Sequence, residues 1–140
     1  MRDSLRFPYV PMKNVRGEGA LRPWMPFTLT YHGKSINVAG LLDTGADVNV
    51  LPYQLGVALG AIWSEQSIAV ELSGNLANYD ARGLIVAAAV GQFAPVQLAF
   101  AWTRAENVPL LLGQVNFFAE FDVCFYRSQS AFDVRPKGRH

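Results

Sequence analysis

The residues of this 140-residue chain best suited to chemistry lie in one run, Leu41-Leu42-Asp43-Thr44-Gly45-Ala46-Asp47. An apolar strand end delivers a carboxylate, and a small hydroxyl and a glycine follow at once. Gly45 lets the backbone turn closely beneath Asp43, so its amide can donate to a carboxylate oxygen, while the Thr44 hydroxyl can bond to neighbouring backbone. A carboxylate held in this way can serve as a general acid or base. The plainer reading is a turn closed by an Asx hydrogen bond.

Other chemistries fit less well. Asp43, Gly45, Asp47 and Asn49 imitate the start of a calcium loop, but Gly45 takes a ligand position, Val48 stands where that loop needs glycine, and Gln54 replaces its closing Glu. A Ser-His-Asp triad would need His32, which falls in an expected hairpin turn. Cys124, the one cysteine, lies between Val123 and Phe125 on an expected strand and reads as a buried, inert thiol. One Cys, with His32 and His140 the only histidines, gives no disulfide framework and no His/Cys metal cluster, so neither metal nor cofactor is expected. Trp24, Trp63 and Trp102 show no stacking pattern and are assigned to packing.

The elements that must position Asp43 follow from alternation and turns. Phe27, Leu29 and Tyr31 alternate with Thr28 and Thr30, His32-Gly33-Lys34 turns the chain, and Ile36 and Val38 continue the pattern, which predicts a β-hairpin running into Asp43. Pro52 can open a short helix through Leu55, Ala58 and Leu59 that Gly60 ends. Ile68, Val70 and Leu72 predict a further strand face, and residues 84–90 and 96–102 a second hairpin. A short buried strand is expected over 108–113, a helical turn over 114–118, and a closing pair of strands turning at 127–130. The motif of apolar strand, glycine turn and helical turn occurs twice, over 41–59 and 110–118. The fold class is mostly β, a closed or strongly curved barrel with one or two short helices.

Hydrophobic residues make up 51% of the chain and charged ones 16%, as in a packed domain rather than a disordered segment. Twelve Lys+Arg against eleven Asp+Glu leave a net charge of +1, too small a field to argue for nucleic acid or an anionic membrane. The start has no apolar signal-peptide core and no later run suits a membrane span, so a cytoplasmic location is expected. Pro8, Pro11, Pro23 and Pro26 suit an extended N-terminal arm or edge strand over residues 1–26, ahead of a domain at 27–136 and a tail at 137–140. The basic residues toward the ends, Arg2, Arg6, Lys13, Arg16, Arg135, Lys137 and Arg139, read as solvated.

Residues 41–52, LLDTGADVNVLP, resemble the active-site segment of the retroviral-type aspartic proteases, the retropepsins, and a hairpin (TLTYHGKSINVAG) precedes them as in that family. Downstream, VPLLLGQVNFF resembles the family's second signature. LPYQLGVALG and FDVCFYRSQSAFDVRPK are similar to segments of the bacterial retropepsin-like proteins, and the resemblance spans about residues 27–136. It implies a closed acid-protease barrel, the single-lobe protomer of a homodimer. Asp43 would be the catalytic carboxylate, Thr44 the hydroxyl that locks two active-site loops together, and Gly45 the residue whose amide supports the carboxylate. Ala46 and Asp47 would line the substrate groove under a flap tip at Ser73, Gly74, Asn75 and Leu76, with Gly113 and Asn116 as the structural signature. Viral members carry, directly after the second-signature glycine, an Arg that pairs with the carboxylate at the Asp47 position; this chain has Gln114 in its place.

Aspartic-protease chemistry takes two carboxylates sharing one proton. Asp-Thr-Gly occurs once here, so the implied function is a homodimeric aspartic endopeptidase that activates water between Asp43 of each chain, acts on peptide or protein substrates, and needs no metal or nucleic acid. Two alternatives keep the fold without the chemistry: a catalytically silent dimer that binds extended peptide segments, and a dimerisation domain from a longer chain.

Overall fold

A computed structural model of the chain describes residues 3–13, 19–105 and 107–138; Arg2, Arg16, Arg139 and His140 lie outside the described residues. Eleven strands and two short helices appear among them. β1 (Leu5–Pro8), β2 (Val10–Lys13) and β3 (Gly19–Arg22) precede the barrel strands β4 (Trp24–Tyr31) and β5 (Lys34–Leu42). β4 and β5 form the expected hairpin. His32 and Gly33 both have positive φ, 48° and 82°, the two-residue turn whose twist matches that of paired strands. β4 takes in residues 24–26, which the sequence assigns to the arm, and buries Met25 completely.

After the Asp-Thr-Gly turn come β6 (Asn49–Pro52) and helix α1 (Tyr53–Ala58), which Gly60 ends at φ +84°. β7 (Ala81–Ala89) and β8 (Val96–Thr103) make the second hairpin, and β9 (Leu111–Leu112) is a two-residue strand. The barrel closes in the order β4-β5-β9-β6-β8-β7. Alternation puts Met25, Phe27 and Leu29 of β4 and Leu98, Phe100 and Trp102 of β8 inside it. α2 (Phe117–Glu120) then leads to β10 (Phe121–Tyr126) and β11 (Ala131–Pro136), which join β1 in an antiparallel sheet of order β1-β11-β10.

Two sequence expectations fail. Residues 68–72 form no strand: Ala69 makes an isolated bridge to Arg82, and Ile68 is 67% exposed. The alternating apolar side chains Ile68 and Val70 face an open groove shared with Ile85 and Val115 instead of the barrel interior. Cys124 is exposed, because the opposite face of β10 carries Phe121 and Val123 inward. Trp63 and Trp102 are packing residues, as assigned, and they meet in an aromatic cluster with Tyr53. Trp102 lies against Tyr53 at 5.5 Å and meets Trp63 edge-on at 5.1 Å, and Gly56 makes room, since a Cβ there would come within 2.2 Å of the Trp102 ring.

The basic residues near the chain ends are engaged as well as solvated. Arg135 reaches Asp122 and Lys137 reaches Glu120, each at 3.3 Å. Arg6 of β1 meets Asp133 of β11 through Nε to Oδ1 at 2.7 Å and Nη2 to Oδ2 at 3.3 Å. The hydrogen bond from Arg6 holds the Asp133 carboxyl below the usual carboxylate range against the opposing effect of burial. A carboxyl with a depressed folded-state pKa contributes stability above its unfolded pKa, and that contribution is lost as pH falls through the folded value. Asp133→Asn should therefore lower Tm at neutral pH, with the gap to wild type closing on acidification through the carboxylate range. Thermal melts across pH check this; a gap unchanged into strong acid would assign the effect to packing.

Candidate active site

The barrel delivers Asp43 through backbone pairing. Leu41 N–H donates to Leu110 O at 2.8 Å and Asp43 N–H to Leu112 O at 3.0 Å, so the end of β5 is held against β9 up to the carboxylate itself. The chain then turns: Ala46 N–H donates to Asp43 O at 3.0 Å, and Gly45 N–H donates to Asp43 Oδ1 at 3.0 Å. The amide contact expected from the sequence is present. A Cβ on Gly45 would come no closer than 3.4 Å to Asp43 Oδ1, an ordinary contact, so the fold of one chain does not by itself demand glycine there.

Beneath the turn runs a second segment, residues 113–116, that serves as its template. Gln114 N–H donates to Ala46 O at 2.9 Å, Val115 N–H to Asp47 O at 2.8 Å, and Asn49 N–H to Val115 O at 3.0 Å. Asn49 is fully buried and its side chain is satisfied on both sides: Oδ1 accepts from Gly113 N–H at 2.8 Å, and Nδ2 donates to Ala99 O at 3.0 Å and Asn116 Oδ1 at 3.2 Å. Asn116 Oδ1 also accepts from Ala99 N–H at 2.9 Å. A buried amide paired this fully is costly to disturb, and the Asn49–Asn116 contacts join the Asp43 turn to β8.

The sequence reading passed over Asn49 except as a poor calcium ligand. The available signal was an amide between the valines of Val48-Asn49-Val50, where an apolar strand has no use for one unless it is paired. Gly113 has its own steric reason: a Cβ would lie 2.7 Å from both Ala46 O and Val48 O, backbone atoms with little freedom to move. Gly113→Ala should cost on the order of 2 kcal/mol through overpacking, measurable by urea denaturation. Unchanged stability would show that the two loops can separate freely.

Asp43 is half-buried, and with Gly45, Ala46 and Asp47 it forms one wall of a cleft of about 310 Å³. Glu71, Leu72, Ser73, Asn75 and Leu76 form the facing wall. Seven of the expected site residues thus meet around one cavity. Gly74, at φ +62°, stands at the tip of the facing segment without lining the cleft. That segment is no two-stranded hairpin: it contains a 3-10 turn, Gly74–Leu76, and is anchored where Asp80 O accepts from Arg104 N–H and the Thr103 hydroxyl, each at 3.1 Å. Thr44 lies outside the cleft and is exposed, and its hydroxyl has no partner among the described residues. Gly113 and Asn116 sit under the loop. Gln114 does not reach Asp47; its Nε2 donates to Thr44 O at 2.9 Å.

Among the described residues no group of three or more His, Cys, Asp or Glu could hold a metal ion, and no helix is long and apolar enough to cross a membrane. No protein-family model and no curated protein matches the sequence. A solved structure does match in three dimensions: the crystal structure of a retropepsin-like aspartic protease from Rickettsia conorii superimposes with a TM-score of 0.59 at 11% identity, covering 93% of this chain and 97% of that one. The chain therefore has the retropepsin-like fold, a closed β-barrel whose turn after β5 carries Asp43.

Proposed function

We propose that the protein is a homodimeric aspartic endopeptidase in which Asp43 of each chain supplies one half of a catalytic pair. The observation that carries this reading is the Asp43 carboxylate itself, with one oxygen held by Gly45 N–H at the wall of a cleft, in a fold shared with an aspartic protease. One chain has one Asp-Thr-Gly, so the second carboxylate comes from a second copy across a two-fold axis. The exposed Thr44 hydroxyl, without a partner among the described residues, suits a contact at that axis.

In the dimer an extended peptide lies between the Asp43 turns and the 71–76 segments, with Ala46 and Asp47 beside its backbone. One carboxylate takes a proton from a water while the other, protonated, donates to the substrate carbonyl oxygen. Water oxygen bonds to the carbonyl carbon, and the C–N bond then breaks as the amine nitrogen takes up a proton. Cleavage of a mixed peptide library by wild type and by Asp43→Asn tests the reading. Asp43→Asn should lower turnover on the order of 100- to 10,000-fold with the fold intact. Peptides bound but left uncut by wild type would favour the silent binding dimer.

A further inference from the structure

We infer that Gln114 is a positioning residue for Asp43, acting through the peptide unit between Thr44 and Gly45. Its Nε2 donates to Thr44 O at 2.9 Å, while Gly45 N–H, in the same peptide unit, donates to Asp43 Oδ1 at 3.0 Å. In a planar trans peptide the C=O and N–H point in opposite directions, so a group that holds the oxygen also aims the hydrogen. Gln114 therefore keeps Gly45 N–H on the carboxylate, and its own backbone N–H, bonded to Ala46 O at 2.9 Å, anchors it beneath the turn.

The turn needs such a hold. Residue 45 has no Cβ, which makes rotation of the 44–45 peptide cheap. Thr44 and Gly45 are both exposed, so packing does little to resist that rotation. Were the peptide to flip, Asp43 Oδ1 would lose its donor within the turn, and the carboxylate would be free to leave the orientation that β5 and β9 set for it. Gln114 is itself exposed, and its side chain makes one hydrogen bond among the described residues. Its replacement should therefore disturb the aim of Asp43 far more than the folding of the barrel.

The inference rests on Asp43 being the catalytic carboxylate, and the test separates the two. Gln114→Met keeps the side-chain length and removes the donor; Gln114→Glu keeps the shape and sets an acceptor against Thr44 O; Gln114→Lys restores a donor. At protein concentrations that saturate activity, the Met and Glu variants should lose roughly ten- to a hundredfold in kcat. KM should stay within about twofold, since uniform binding is untouched. The Lys variant should recover most of the loss, and melting temperatures should stay close to wild type.

A second readout needs no turnover. The 1H–15N shift of the Gly45 amide should follow ionisation of Asp43 in wild type, vanish as a response in Asp43→Asn, and be largely lost in Gln114→Met. A Met variant with wild-type kcat, or with the Gly45 titration intact, overturns the inference while the endopeptidase reading stands. If wild type shows no Asp43-dependent cleavage, the endopeptidase reading fails and the Gly45 titration alone decides: lost in Gln114→Met, it supports the positioning contact; retained, it overturns it. Should one variant fail to fold, the other carries the test.

Discussion

Mixing wild-type protein with about a ninefold excess of Asp43→Asn protein, and letting subunits exchange, should cut activity per wild-type chain about tenfold, because random pairing leaves few dimers with two wild-type chains. The same excess of an unrelated protein should change nothing. The expectation comes from counting: one Asp-Thr-Gly per chain cannot provide both the group that takes a proton from water and the group that gives one to the carbonyl. A heterodimer holds one Asp43 and one neutral amide, so it can form and bind peptide without completing the pair. Dilution is the companion measurement, since a site built across a two-fold axis disappears as the dimer dissociates. Activity proportional to chain concentration down to a demonstrated monomer, or immunity to the mutant chain, would place the whole site in one chain and remove the dimer from the mechanism.

The parts legible in the sequence are those in which neighbours decide the structure. The β4–β5 hairpin follows from alternation on both arms and a His32-Gly33 turn that needs positive φ twice, and it places Asp43 at a strand end before any tertiary contact is considered. The contact from Gly45 to Asp43 spans two positions and is equally local. Alternation alone misleads at residues 68–72, because it records that Ile68 and Val70 share a face without saying what that face meets; here it is an open groove. At Cys124 the period itself held the answer. If Val123 points inward on a strand, its neighbour points out, and the apolar character of the flanking residues does not bury it.

What stayed hidden in the site is nonlocal. Asn49 and Asn116 meet across 67 positions, and Gln114 reaches Thr44 across 70, so nothing in either neighbourhood reveals the pairing. Tyr53, Trp63 and Trp102 likewise come together only when α1 folds back over β8, a packing that depends on Gly56 lacking a side chain. Gln114 is the most instructive case. Set against the Arg of viral members, position 114 suggests a missing charge beside Asp47, whereas in three dimensions its amide donates to Thr44 O, in the peptide unit whose N–H donates to Asp43 Oδ1. The loop is gripped by neutral hydrogen bonds, from Gln114, Val115 and the Asn49–Asn116 pair, which salt weakens less than it would an exposed ion pair.

The pH dependence of turnover is the other large expected effect. Two carboxylates brought together at a two-fold axis share one proton, because ionising the second beside the first is opposed by their like charge. Both the water-activating and the proton-donating roles are filled only while that single proton is present, so kcat/KM should be bell-shaped with its maximum on the acid side of neutrality. On each side the rate should fall about tenfold per pH unit beyond the apparent ionisation of the pair. The acid limb of the rate profile must be separated from unfolding, since the Arg6–Asp133 pair also weakens as Asp133 is protonated. Melts in the same buffers distinguish the two, and Asp133→Asn should move the stability profile while leaving the shape of the rate profile alone. A chelator should leave the bell unchanged and a statine-type transition-state mimic should suppress it. A rate that climbs steadily into alkaline pH, or collapses with chelator, would require a different nucleophile or a metal and would remove Asp43 from the chemistry.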